Sequence, residues 1–133
     1  MEWKYVKPLT STSLIDDFEA LTKYRFCQSF KDCVINNNGA RPSNKAFDTD
    51  KTKERMLKSF LSFNKEDRET VWKIFEWCKE DLGDKFVPFA IDNFGNLICF
   101  DKSNDNVVFL DHEVASCELV ADNFDNFLAK LYY

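Results

Sequence analysis

The sequence lacks the features that mark a membrane or exported protein. No apolar run approaches the roughly 20 residues that a membrane-spanning helix needs, and the first residues contain no apolar signal-peptide core. The five cysteines are an odd number without a Cys-x-x-Cys pair, so we expect reduced thiols, not a disulfide framework. These absences predict a cytoplasmic protein.

Signatures of catalysis and cofactor binding are also missing. The three glycines build no phosphate-binding loop, dinucleotide fingerprint or nucleophile elbow. His112 is the single histidine, and in an extended segment it points away from Asp111 and Glu113. These three side chains could not then converge on one metal ion. We therefore expect no enzyme, no cofactor and no metal site.

What is present is the composition of a folded protein. Hydrophobic residues make up 44% of the chain and charged residues 31%, with only three prolines. Such a composition argues against disorder, and a length of 133 residues predicts one domain spanning residues 1–133. Fourteen phenylalanines predict a core built from large rings.

Residues 86–113 predict the centre of the fold. Three apolar runs, Val87–Ile91, Leu97–Phe100 and Val107–Leu110, are separated by polar turns, the first of which contains Gly95. The runs are apolar on both faces, which is typical of strands covered on both sides. We expect these strands to form an antiparallel meander at the middle of a sheet.

The remaining chain predicts four helices around this meander. The first helix is expected to begin near Ser13, which resembles a capping box with Asp16, and the second at about Phe26. Asn64 is expected to cap the third helix, and Asp122 with Asp125 the fourth. Their predicted buried stripes include Leu14, Ile15, Phe18 and Leu21 in the first helix, and Val71, Ile74, Phe75, Cys78 and Leu82 in the third. Gly83 is expected to end the third helix. The fold class is therefore α+β, with a mainly antiparallel sheet covered by four helices.

Three further segments complete this prediction. Residues 43–55 are polar and predict a loop, while Met56–Phe63 predicts a strand or a short helix. Cys117–Ala121 predicts one more short strand, and Trp3–Pro8 an edge strand or an arm.

Negative charge is concentrated in the second part of the chain. Residues 84–133 contain nine Asp or Glu and three Lys or Arg, whereas residues 1–83 are nearly balanced. An acidic surface disfavours nucleic acid and anionic membranes and favours a basic protein partner. The alternative is that the acidity serves only solubility.

The candidate binding residues are acids near strand ends and two tryptophans of the third helix. They are Asp92, Asp101, Asp105, Asp111, Glu113, Trp72 and Trp77. Carboxylates at strand ends could bind a divalent cation, or they could accept hydrogen bonds from turn amides. The tryptophans could pack at the core edge or serve as exposed anchors for a partner.

Three stretches resemble the SUKH superfamily, which includes fungal Smi/Knr glucan-synthesis regulators and bacterial toxin-immunity proteins. FCQSFKDCVINNNGARP resembles its helix-two signature, with Cys27 in place of a proline and Ala40 in place of a second glycine. VPFAIDNFGNLICFD resembles its Pro-Phe-Ala-x-Asp-x-x-Gly-Asn hairpin, and VVFLDHE its third strand.

The resemblance implies an α+β fold and a non-catalytic role. For a small member of bacterial type it implies an immunity protein that binds and blocks a cognate toxin, often a nuclease. A nuclease must carry positive charge to hold phosphates, so this partner is expected to be basic. The alternative is a regulatory scaffold of Smi/Knr type, and a weaker alternative is a metal-binding or hydrolytic domain that uses the strand-end carboxylates.

Overall fold

An antiparallel sheet of six strands dominates the computed structural model, which describes residues 1–114 and 116–133. Its strands are Ala46–Phe47 (β3), Arg55–Phe60 (β4), Phe86–Asp92 (β5), Leu97–Asp101 (β6), Val107–Asp111 (β7) and Ser116–Ala121 (β8). They lie in the sheet in the order of the sequence. Trp3–Lys4 (β1) and Arg41–Pro42 (β2) pair separately as a two-stranded sheet.

Four helices lie within the described residues. They are Ser13–Thr22 (α1), Gln28–Asn37 (α2), Val71–Leu82 (α3) and Phe124–Lys130 (α4). The predicted α+β class is confirmed, with β5, β6 and β7 inside the sheet. None of the described helices combines the length and hydrophobicity that crossing a bilayer requires.

The middle strands form because both of their faces are buried. Every residue of β5 and β6 is buried. On one face, Phe89 stacks on Phe100 with ring centroids 4.5 Å apart, and Phe30 of α2 lies 5.1 Å from Phe100. On the other face, the buried Cys78 of α3 packs beside the buried Cys99 of β6. Burial of each such ring stabilises the fold by about 2–3 kcal/mol.

The Asn-Gly sequence after α2 connects three segments of the chain. The buried Asn38 side chain donates to Lys7 O at 2.8 Å and to Ser62 Oγ at 2.9 Å, and its Oδ1 accepts from Phe63 N–H at 2.8 Å. Gly39 has φ of +65°, and a Cβ there would lie 3.2 Å from Lys7 Cδ. The Asn38 side chain thus fixes the path of the chain as it leaves α2, and Gly39 supplies the positive φ of this turn.

The predicted starts of two helices are wrong. Helix α3 begins at Val71, because Thr70 accepts from Lys73 N–H at 3.2 Å, and not at Asn64. Asn64 is buried and instead accepts from Thr10 N–H at 2.9 Å. Helix α4 is capped by Asn123 rather than Asp122.

Other boundaries differ in smaller ways. The residue at the N-cap of α1 is Thr12, not the predicted Ser13, and its side chain makes no capping hydrogen bond. Leu21 was predicted to be buried but is 53% exposed. Helix α2 begins at Gln28, two residues after the predicted Phe26, which is buried ahead of the helix. The predicted loop at residues 43–55 contains β3, because Phe47 is buried against Phe109 and Phe127. The predicted end of α3 at Gly83 is confirmed. The strand alternative for residues 56–63 is also confirmed, as β4 covers residues 55–60.

Candidate protein-binding site

The acids predicted to bind a partner fall into two groups at opposite ends of the sheet. Because β5, β6 and β7 are antiparallel, Asp92 and Asp111 lie at one end and Asp101 at the other. Glu113 follows in the turn after β7, whereas Asp105 lies in the turn after β6. The length of β6 separates the two ends by about 13 Å. A small ligand therefore cannot contact both groups.

A hydrogen-bond network joins two turns at the first end. Asp92 Oδ1 accepts from the backbone N–H groups of Phe94 and Asn96, each at 2.8 Å, and Asp92 Oδ2 accepts from the Asn96 amide at 2.8 Å. Asn96 Oδ1 lies 2.8 Å from Nδ1 of His112. Gly95 has φ of +83°, as the hairpin requires. Asp92, only 7% exposed, thus positions the turns.

Two aromatic side chains reach solvent beside this network. Phe94, at the tip of the β5–β6 hairpin, is 79% exposed, and Trp77 of α3 is 36% exposed. The Trp77 ring lies edge-on to His112 with centroids 6.4 Å apart. In the turn after β7, Asp111 Oδ1 accepts from Glu113 N–H at 2.9 Å. We term Trp77, Phe94, Asp111, His112 and Glu113 the turn surface.

A groove of about 340 Å³ separates α3 from the hairpin at the turn surface. Ile74 and Trp77 form its helix side, and Asn93 and Gly95 form its hairpin side. Because Ile74, Ile91 and Leu97 contribute apolar surface to this groove, it can accept an apolar side chain from a partner.

The acids at the second end of the sheet serve local structure. Asp101 Oδ1 accepts from the N–H and the hydroxyl of Ser103 at 2.9 and 2.7 Å. Asp105 accepts from the Tyr24 hydroxyl at 2.7 Å. Burial is the main cause that raises the pKa of Tyr24, and the hydrogen bond to Asp105 raises it further. The phenol therefore remains a hydrogen-bond donor at neutral pH. This end fixes the turn after β6 to the start of the α1–α2 connection.

Trp72 lies against the core, unlike Trp77. Its indole donates to Phe63 O at 2.9 Å, and its ring meets Phe18 edge-on with centroids 5.1 Å apart. Lys65 Nζ lies 4.4 Å from the centre of the Trp72 ring. Of the two predicted anchors, Trp77 is the one that reaches solvent and contacts the turn surface, through the ring of His112.

The sheet topology does not bring together the carboxylates of the metal-binding alternative. Asp101 lies at the opposite end from Asp92 and Asp111, and the His112 ring contacts Asn96. Across residues 1–114 and 116–133, no three His, Cys, Asp or Glu side chains gather into a group that could hold a metal ion.

The sequence prediction overlooked Phe94. Its position contained the signal, because a phenylalanine in a short loop between Asp92 and Gly95 has no strand neighbour to bury it. In the structure Phe94 is 79% exposed, compared with 36% for Trp77.

A family model described as SMI1-KNR4 cell-wall, SUKH_6, matches residues 12–128, and the chain belongs to this family. The superfamily predicted from these sequence motifs is thereby confirmed. A search of the curated proteins found no match to the chain.

Proposed function

We propose that this protein is an immunity protein that neutralises a cognate toxin by binding it directly through the turn surface. The observation that supports this most is the pair of exposed aromatic residues, Phe94 and Trp77, near His112, whose neighbours along the chain are Asp111 and Glu113. Membership of the SUKH superfamily favours an immunity or regulatory role exerted by protein binding. Binding blocks the toxin and needs no catalytic group.

The charge of the turn surface favours a basic toxin of the nuclease type. Glu113 is exposed in the turn after β7 and Asp111 is half-buried at the end of that strand, so both carboxylates can attract a basic surface without disturbing the core. The rings supply apolar area that excludes water from the contact. We further propose that residues 1–133 act as one domain in the cytoplasm, because the described buried side chains form one cluster and all five cysteines are free.

The first test is affinity capture from native lysate with elution by rising salt. We expect one basic protein in a fixed ratio, which arrests growth when expressed alone and is neutralised when this chain is co-expressed. Phe94→Ala/Trp77→Ala should weaken binding of the purified partner by roughly 30-fold or more, because exposed aromatic anchors contribute about 2 kcal/mol or more at hot spots.

A matched pair of exposed apolar residues provides the control. Leu21→Ala/Ile35→Ala removes side chains that are 53% and 46% exposed on α1 and α2. These substitutions should leave the affinity unchanged. Equal losses from both double variants would contradict binding through the turn surface, and several weak partners instead of one would favour the Smi/Knr-type regulatory scaffold.

The role of the carboxylates is tested separately by association kinetics. Asp111→Asn/Glu113→Gln should slow association at low salt, with a smaller effect near 0.15 M salt, where charges are screened beyond about 8 Å. Glu2→Gln/Asp17→Asn removes the same charge elsewhere on the exposed surface. Identical association rates for the two variants would exclude steering by the turn surface.

A further inference from the structure

A second surface, with positive charge, lies where β1 and β2 approach β4. Two adjoining cavities of about 510 and 430 Å³ share Arg41 and Lys58 as walls. We term these two adjoining cavities together the cationic groove. Six cations line it: Lys4, Lys7, Arg41, Lys45, Lys58 and Arg68.

Most of this positive charge is not neutralised within the protein. Lys58 forms an ion pair with Glu69 at 2.9 Å, and Glu69 is the one acidic side chain among the described residues that line the groove. Within residues 1–114 and 116–133, the other five cations form no ion pair. Like charges around a concave surface concentrate the potential there. The groove thus attracts anions although the whole chain carries a net charge of −5.

Exposed apolar side chains accompany these cations. Tyr5 is 71% exposed and Met56 is 43% exposed at the groove. Tyr5 has φ of +58°, a left-handed conformation that costs a bulky residue about 1–2 kcal/mol, and the Arg41 guanidinium carbon lies 5.5 Å from its ring centre. Tyrosine, methionine and arginine are enriched where proteins contact proteins. Their combination here is typical of a protein-binding groove.

We propose that the cationic groove binds an extended, acidic segment of a protein partner. Carboxylates of that segment pair with Arg41 and Lys45, while its apolar side chains pack on Tyr5 and Met56. Two cavities in succession match a chain that passes along the groove better than they match a single small anion. This partner segment is opposite in charge to the toxin proposed for the turn surface, so the inference goes beyond that function.

The test is fluorescence anisotropy with a labelled peptide that alternates glutamate and leucine. A length of about ten residues extends over roughly 33 Å, enough to follow a surface groove. The wild-type chain should bind this peptide and should not bind the matched peptide in which lysine replaces glutamate. Affinity should fall as salt rises.

Two charge-reversal variants locate the binding. Arg41→Glu/Lys45→Glu should weaken binding about tenfold or more. Lys53→Glu/Lys79→Glu changes the net charge by the same amount at exposed positions outside the groove and should change affinity by less than about threefold. If charge reversal lowers the thermal stability, the milder Arg41→Gln/Lys45→Gln should give a smaller loss in the same direction.

Three results would overturn the proposal. They are no binding of the acidic peptide, equal losses from the two reversal variants, or tighter binding of an oligothymidine of similar length, which would assign the groove to nucleic acid. Phe94→Ala should leave the peptide affinity unchanged. The outcome is therefore separate from that of the toxin-binding experiments.

Discussion

Asn38 shows how one buried amide can hold distant parts of the chain together. Asn38→Ala leaves Lys7 C=O and Phe63 N–H without their side-chain partner. We expect a decrease of about 3 kcal/mol in the free energy of unfolding, because each unsatisfied buried group costs about 1–3 kcal/mol. Urea unfolding followed by circular dichroism measures it. Asn36→Ala, at an exposed position, is the control and should change the free energy of unfolding by less than about 0.5 kcal/mol. Similar losses from Asn38→Ala and Asn36→Ala would refute the role of the Asn38 hydrogen bonds.

Glu118 makes stability depend on pH. Burial by itself raises the pKa of this carboxyl, but hydrogen bonds from Thr49 and Arg55 outweigh it and hold the pKa below the ordinary 4.5. The folded state therefore binds this proton more weakly than the unfolded state. The resulting stabilisation is present above pH 4.5 and is lost as the pH falls through the lower folded pKa.

The substitution Glu118→Gln tests this dependence. Urea unfolding at a series of pH values should show that the variant loses stability less steeply than the wild type as the solution is acidified below pH 4.5. Glu66→Gln, at an exposed position, should keep the wild-type slope. Parallel curves for Glu118→Gln and the wild type would contradict the assignment.

At the scale of elements, the end of α3 depends on one glycine. Gly83 has φ of +80° and ψ of 179°, a region that side chains with a Cβ avoid, yet no atom lies within 4 Å of an added Cβ. Gly83→Ala should therefore cost about 1–3 kcal/mol through backbone strain alone. Thermal unfolding measures the cost against Glu80→Ala, an exposed substitution one turn earlier. An unchanged melting temperature for Gly83→Ala would mean that the helix end rearranges without strain.

Elements with local signals were predictable from the sequence. The strands of residues 86–113 follow from apolar runs and from Gly95, and the end of α3 follows from Gly83. The start of α3 was not predictable, because Asn64 has the chemistry of a cap but bonds to Thr10, 54 residues away. Strand β3 depends on long-range pairing in the same way, since Ala46 pairs with Met56 and Tyr132.

The candidate site was predictable only in part for a related reason. The sequence identifies Asp111, Glu113 and Trp77 as candidates, but solvent exposure of a tryptophan depends on its tertiary neighbours. Trp72 is covered because Phe18 and Phe63 meet it from other segments. No pattern within α3 itself distinguishes the two tryptophans.

At the scale of the whole molecule, the net charge of −5 conceals two surfaces of opposite sign. The turn surface carries Asp111 and Glu113, and the cationic groove carries Arg41 and Lys45. The ion-paired Lys58 lines both the groove beside Trp77 and the cationic groove. The two proposed binding sites are therefore neighbours on the surface.

The order of strands also determines how the chain can fold. From β5 to β8 each strand pairs with the next one along the chain, so short loops close first at a small entropic cost. The pairings of Trp3 with Pro42 and of Ala46 with Tyr132 close much longer loops. We expect residues 41–47 to dock last and, in native-state hydrogen exchange, to lose protection before β6 and β7. The segments around Trp3 and Tyr132 then both join the fold at residues 41–47, after the meander has formed. Slower hydrogen exchange in residues 41–47 than in β6 would contradict this order of folding.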